Sequence, residues 1–89
     1  MTRQLEAPKG EIINTRRVER TLKILAHLSD WRSIKACSEE IGVHQKSIFR
    51  YLNMLVILGF VVEVTRLRTI EGMRNHYRVV NQKEYFNIK

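Results

Sequence analysis

Lys46, Arg50 and Asn53 recur at spacings of four and three residues, so on a helix they form one row along a single face. Arginine and lysine grip guanine or a phosphate, and asparagine can read adenine, which gives the row the donor set of a nucleic-acid contact. No acidic residue falls between Glu40 and Glu63 to compete for those cations. Gln45 and Phe49 flank the row, and Phe49 either touches a thymine methyl or packs beside the core. Ser47 either bonds a phosphate or is an ordinary first-turn residue. His44, just ahead of them, suits a helix cap or a base or phosphate contact. A second basic set, Arg66, Arg68 and Arg74, brackets a turn where only Glu71 opposes it. This is the pattern of a solvated loop or of a hairpin resting on a phosphate backbone.

Other chemistries have no such pattern behind them. His27, His44 and His76 stand without a second cysteine or a paired ligand at metal spacing, so no metal site and no cofactor are expected. Cys37 falls at a core-facing helical position with no base guaranteed by its spacing, which reads as a small buried hydrophobe rather than a nucleophile. No glycine-rich phosphate loop or nucleophile elbow is present, and no enzymatic activity is expected.

The elements that must position the basic row are legible around it. Ile34, Cys37 and Ile41 mark one face of a short helix with Ser33 as its N-cap, and small Ser38 allows a second helix to approach. Gly42 ends that helix, Val43 plugs the angle, and a second helix runs from Gln45 to Leu58 after His44. Ile48, Leu52 and Leu55 stack on its inner face, with Tyr51 and Leu58 beside them and the basic row opposite. Gly59 followed by Phe60 has the form of a Schellman ending, with Phe60 folding back on Leu55. Val56 and Ile57 are expected to point outward.

Upstream, Thr15 can cap a first helix in which Val18, Leu22, Leu25 and Leu28 recur at helical spacing, while Arg16, Arg17, Arg20 and Lys23 take other faces. Trp31 is expected to cover the bottom of the core. Residues 1–14, with Pro8 and Gly10, read as a flexible arm. Past Gly59 the period becomes two: Phe60, Val62 and Val64 alternate with polar or outer positions, and Tyr77 and Val79 share a face, which predicts a hairpin. Asn81 and Glu84 stand at capping-box-like spacing, so residues 81–89 can close with a short helix.

Residues 33–62 resemble the winged helix-turn-helix of bacterial transcription regulators, most closely the DNA-binding domain of the IclR family. The likeness rests on Ile41-Gly42-Val43, Lys46-Ser47-Ile48, Arg50-Tyr51-Leu52, and Leu55 with Leu58-Gly59-Phe60-Val61. With the flanking helix and hairpin it extends from about Thr15 to Val80. Two positions depart from the family pattern: His44 stands where Ser or Thr is usual, and Ser38 where Ala is common. The chain also ends where such a regulator would begin its effector-binding domain. The resemblance implies a mainly α domain with a small β-hairpin, a three-helix core plus wing, and double-stranded DNA as partner.

Size and charge agree. A chain of 89 residues buries about 60% of its unfolded surface, enough for one small core. Sixteen Lys and Arg against nine Asp and Glu give a net charge of +7, and the pI near 10.1 favours polyanionic partners. One cysteine fits a reducing compartment, and the start MTRQLEAPKG is not a signal peptide. A cytoplasmic, nucleoid-associated regulator is the leading expectation, acting as a homodimer through Val56, Ile57 and the segment Tyr85-Phe86-Asn87-Ile88. A winged-helix protein-interaction module using those same apolar residues is the alternative. Binding to RNA or to left-handed duplexes ranks last, because the row reads Lys46, Arg50, Met54 and the wing has neither proline nor tryptophan.

Overall fold

The computed structural model describes residues 2–6 and 15–83. In chain order it contains β1 (Arg3–Gln4), α1 (Thr15–Lys23), a 3₁₀ turn (Leu25–Leu28), β2 (Arg32–Ser33), α2 (Ile34–Ile41), α3 (Gln45–Ile57), β3 (Val62–Thr69) and β4 (Gly72–Val79). The strands form one antiparallel sheet in the order β1-β3-β4-β2. The molecule is therefore α+β, with the helices on one face of a four-stranded sheet rather than beside an isolated hairpin.

The core forms where α1, α2 and α3 meet that sheet. Ile24, Leu25 and Leu28 come from the end of α1 and its 3₁₀ extension, Cys37 from α2, Ile48, Tyr51, Leu52 and Leu55 from α3, and Phe60, Val62, Val64, Tyr77 and Val79 from the sheet and its lead-in. Burial of such side chains is the main favourable term for a domain of this size. The alternation predicted for the hairpin holds, since Val62, Val64, Tyr77 and Val79 are all buried.

Several expectations are corrected. The buried stripe of the first helical segment is Thr21, Ile24, Leu25 and Leu28, and Leu22 is exposed. The α-helix stops at Lys23 and tightens into a 3₁₀ turn, so the stripe keeps the spacing of three, one and three that faces the sheet. Trp31 does not join the core. It is half-buried, and the Arg78 guanidinium lies 4.3 Å from its ring centre. Arg78 also donates to the Glu63 carboxylate at 2.9 Å, so the indole rests on a cross-strand ion pair. Within the expected arm, Arg3 and Gln4 form a strand on β3, with the Leu5 amide donating to the Val62 carbonyl at 2.8 Å. Pro8 and Gly10 lie outside the described residues.

At the other end, Gln82 and Lys83 take helical geometry, and Asn81 clamps the chain before them. Its side chain accepts from the Val61 amide at 2.7 Å and donates to the Gly59 carbonyl at 3.2 Å, tying the chain's end to the junction between α3 and β3. Glu84 and the segment Tyr85–Ile88 lie outside the described residues.

Candidate nucleic-acid interface

The basic row is positioned by α2, a rigid turn and α3. Ser33 caps α2, its hydroxyl accepting from the Ala36 amide at 3.1 Å. Gly42 ends the helix at φ 81°, a conformation that would strain a side chain even though open space surrounds the position. The amides of Gly42 and Val43 both donate to the Ser38 carbonyl, and the Ser38 hydroxyl donates to the Val43 carbonyl at 2.6 Å. Ser38 is thus the lock of the turn, a role its small size alone does not reveal.

His44 caps α3 as the pattern allows: its Nδ1 accepts from the Lys46 amide at 3.1 Å. The far end of α3 is a Schellman motif. The Phe60 amide donates to the Leu55 carbonyl at 2.9 Å, the Gly59 amide to the Val56 carbonyl at 3.1 Å, and Gly59 sits at φ 102°. Both ends of the helix are fixed by its own sequence.

On α3, Ile48, Tyr51, Leu52, Met54 and Leu55 are buried, and Gln45, Lys46 and Arg50 are exposed opposite them, with Ser47 and Asn53 half-buried. Phe49 packs beside the core, one of the two readings offered for it. It is 49% exposed, yet its ring meets Tyr77 of β4 edge-on at 6.5 Å and 87°. Gln45 and Phe49 line an open groove of about 820 Å³ between α3, the first turn of α2 and the hairpin end of β4. Val56, expected outward, packs against the core, and Ile57 is half-buried. The heptad-like drift of the helix brings Val56 round beside Leu52 and Leu55.

Pairing of β3 with β4 fixes where the hairpin arginines point. Cross-strand partners share a face: Arg66 opposes Asn75 and Arg68 opposes Met73, on the face that carries Val64 and Tyr77. That face is the one against which Phe49 of α3 rests. Arg74 opposes Leu67 on the other face, and its guanidinium donates to the Met73 carbonyl at 3.0 Å. The three arginines therefore do not form one cluster at the tip. The tip itself is the fully exposed Ile70 beside Glu71.

Three carboxylates are committed to the scaffold. Glu40 receives His27 at 2.9 Å and Arg32 at 3.4 Å, Glu63 receives Arg78, and Glu71 receives Lys35 at 2.7 Å. The Lys35–Glu71 contact joins α2 to the hairpin tip. Its hydrogen bond and charge hold the Glu71 carboxyl below its ordinary range and the Lys35 ammonium above its own. Lys46, Arg50, Arg66 and Arg68 have no ion-pair partner among the described residues, and the charge of Arg74 adds to that of Lys35 in holding the Glu71 carboxyl down. Lys35 was not legible as part of this region, because its partner lies 36 positions away.

Cys37 is buried, and burial pushes its thiol up to about 11, with the Glu40 carboxylate adding to the shift. Among the described residues no three His, Cys, Asp or Glu side chains group as metal ligands, and no helix is long and apolar enough to cross a membrane. Comparison with protein-family models, with curated proteins and with solved structures finds no match to this chain.

Proposed function

We propose that the chain is a sequence-specific double-stranded DNA-binding protein of the winged helix-turn-helix kind and acts as a small transcriptional regulator. In this reading α3 enters the major groove and reads bases through Lys46, Arg50 and Asn53, while Gln45, Ser47 and His44 approach the flanking backbone. The β3–β4 hairpin is the wing, with Arg66 and Arg68 on phosphates and Arg74 at its edge.

The observation that carries the reading is electrostatic. The described carboxylates that make ion pairs neutralise Arg32, Lys35 and Arg78, which tie scaffold elements together, while Lys46 and Arg50 of α3 and Arg66 and Arg68 of the hairpin have no ion-pair partner among the described residues. A solvated helix face does not require that segregation; a polyanion-binding face does. The element order supports it too, since α2, a locked turn and α3 precede a hairpin whose second strand is closed by β2.

Selection of bound duplexes from a random pool tests this directly. Enrichment of a short motif is expected, and affinity for it should fall with salt at a slope of about −4 to −5 in log–log form, as about five neutralised phosphates require. Failure to enrich any duplex, with a slope near zero, would remove DNA as the ligand.

A further inference from the structure

The short N-terminal strand carries a charge into the same region. In β1, Arg3 opposes Val64 and Gln4 opposes Glu63, so Arg3 shares the face of Val64, Arg66 and Arg68. The position of Leu5 checks that assignment independently. Leu5 alternates onto the same face as Arg3, and it packs against the hydrophobic core that lies there. The Leu5 amide bond to Val62 and this packing anchor the strand, which leaves Arg3 exposed at the end where β1 stops covering the edge of β3.

Arg3, Arg66 and Arg74 border one open cleft of about 770 Å³, with Asn75 and Met73 between them. Among the described residues no carboxylate lines it. The nearest acid on the paired strand, Glu63, projects from the opposite face, where Arg78 holds it. Arg3 and Arg66, on one sheet face beside this open cleft, offer planar guanidinium donors matched to phosphate oxygens, with Arg74 at its border.

Resting on the DNA reading above, we propose that this cleft is a phosphate-binding site and that Arg3, delivered by β1, is a phosphodiester contact of the interface. Its ligand is the backbone of the duplex held by α3, since Arg3, Arg66, Met73 and Asn75 lie on the sheet face against which Phe49 of α3 rests. The site contributes grip and no base reading. β1 is then a strand that fixes a basic side chain in place before DNA arrives, which lowers the ordering cost a free arm would meet.

The test is salt-dependent binding of the full chain and its Arg3→Gln, Arg3→Lys and Gln4→Ala variants to the selected duplex and to an unrelated one. Arg3→Gln keeps a long side chain on the strand while removing the charge. It should reduce the salt slope by about 0.9 and weaken both duplexes equally, by about eightfold at 0.1 M salt if that slope extends to 1 M. Arg3→Lys should restore the slope, and Gln4→Ala, on the opposite face, should match the parent chain. An unchanged slope for Arg3→Gln, in a parent that binds DNA, overturns the site and leaves the DNA reading standing. Equal losses in Arg3→Gln and Gln4→Ala would make β1 merely structural and also overturn it. A parent that binds neither duplex removes the DNA reading first, and this site with it.

Discussion

Arg50 and Arg68 carry the same charge in different settings, one on the exposed row of α3 and one on the hairpin, so they should fail differently. Arg50→Ala is expected to cost about 1–3 kcal/mol on the preferred duplex and to relax base preference, whereas Arg68→Ala should weaken all duplexes alike and lower the salt slope by about one. Identical profiles for the two variants would show that α3 does not read bases. Two buried residues of the scaffold make independent predictions. The Cys37 thiol, raised from 9.0 to about 11, binds its proton more tightly in the folded chain than in the unfolded one. Its contribution to stability is therefore complete below about pH 9 and is lost as pH rises towards 11. Chemical denaturation from pH 8 to 11 should show a steeper loss in the parent than in Cys37→Ala; parallel curves would contradict the shift. Thr21 is fully buried, and its hydroxyl has no hydrogen-bond partner among the described residues. Thr21→Val keeps the shape and removes the stranded oxygen, so it should stabilise by about 1 kcal/mol and raise Tm by about 4–8 °C. A lower Tm would mean that the hydroxyl has a partner in solution.

The turn between α2 and α3 is the element on which the orientation of the basic row depends. Gly42→Ala meets no neighbour within 4 Å, so its whole penalty is conformational: about 1–2 kcal/mol for a side chain held at φ 81°. The expected result is a lower denaturation midpoint with unchanged DNA affinity once the folded fraction is allowed for. An affinity loss beyond that fraction would show that the turn sets the angle of α3 by more than stability. Local rules made this element legible in advance. Ser33, Gly42, His44 and Gly59 each act on amides or carbonyls within a turn of themselves, and the apolar spacing of α3 is strong. What stayed illegible is non-local. β1 and β2 are two residues each, too short for any period, and exist only because β3 and β4 offer edges to them. Trp31 stacks on Arg78 and Lys35 pairs with Glu71 across separations that no spacing rule reaches. The sides taken by Arg66, Arg68 and Arg74 follow from the pleat, where an odd offset across the turn sends Arg74 to the other face. Of the proposed interface, the residue types on α3 were readable from the sequence; the contribution of Arg3 was not.

In the proposed mode of binding the molecule presents one helix and one hairpin to DNA, and that limits how much sequence it can specify. Each read base pair discriminates by about 1–3 kcal/mol, and three reading side chains on a single α3 leave a genomic target poorly separated from its competitors. Two copies on an inverted repeat double the read sequence and place the second α3 one helical turn of DNA away, about 34–36 Å. Val56 packs against the core, which reduces its share in that pairing; Ile57 is half-buried, and the segment Tyr85–Ile88 lies outside the described residues. The expected outcome is that random-pool selection returns a motif with two-fold symmetry and a half-site spacing of about 10 base pairs, and that sedimentation finds two chains per duplex. A dimer of the free protein is not required for this, since binding to adjacent half-sites can itself supply the coupling; halving the motif should then cost more than half of the binding free energy. A single asymmetric motif with one chain per duplex at micromolar concentration would sink the dimer and assign the missing discrimination to a partner protein.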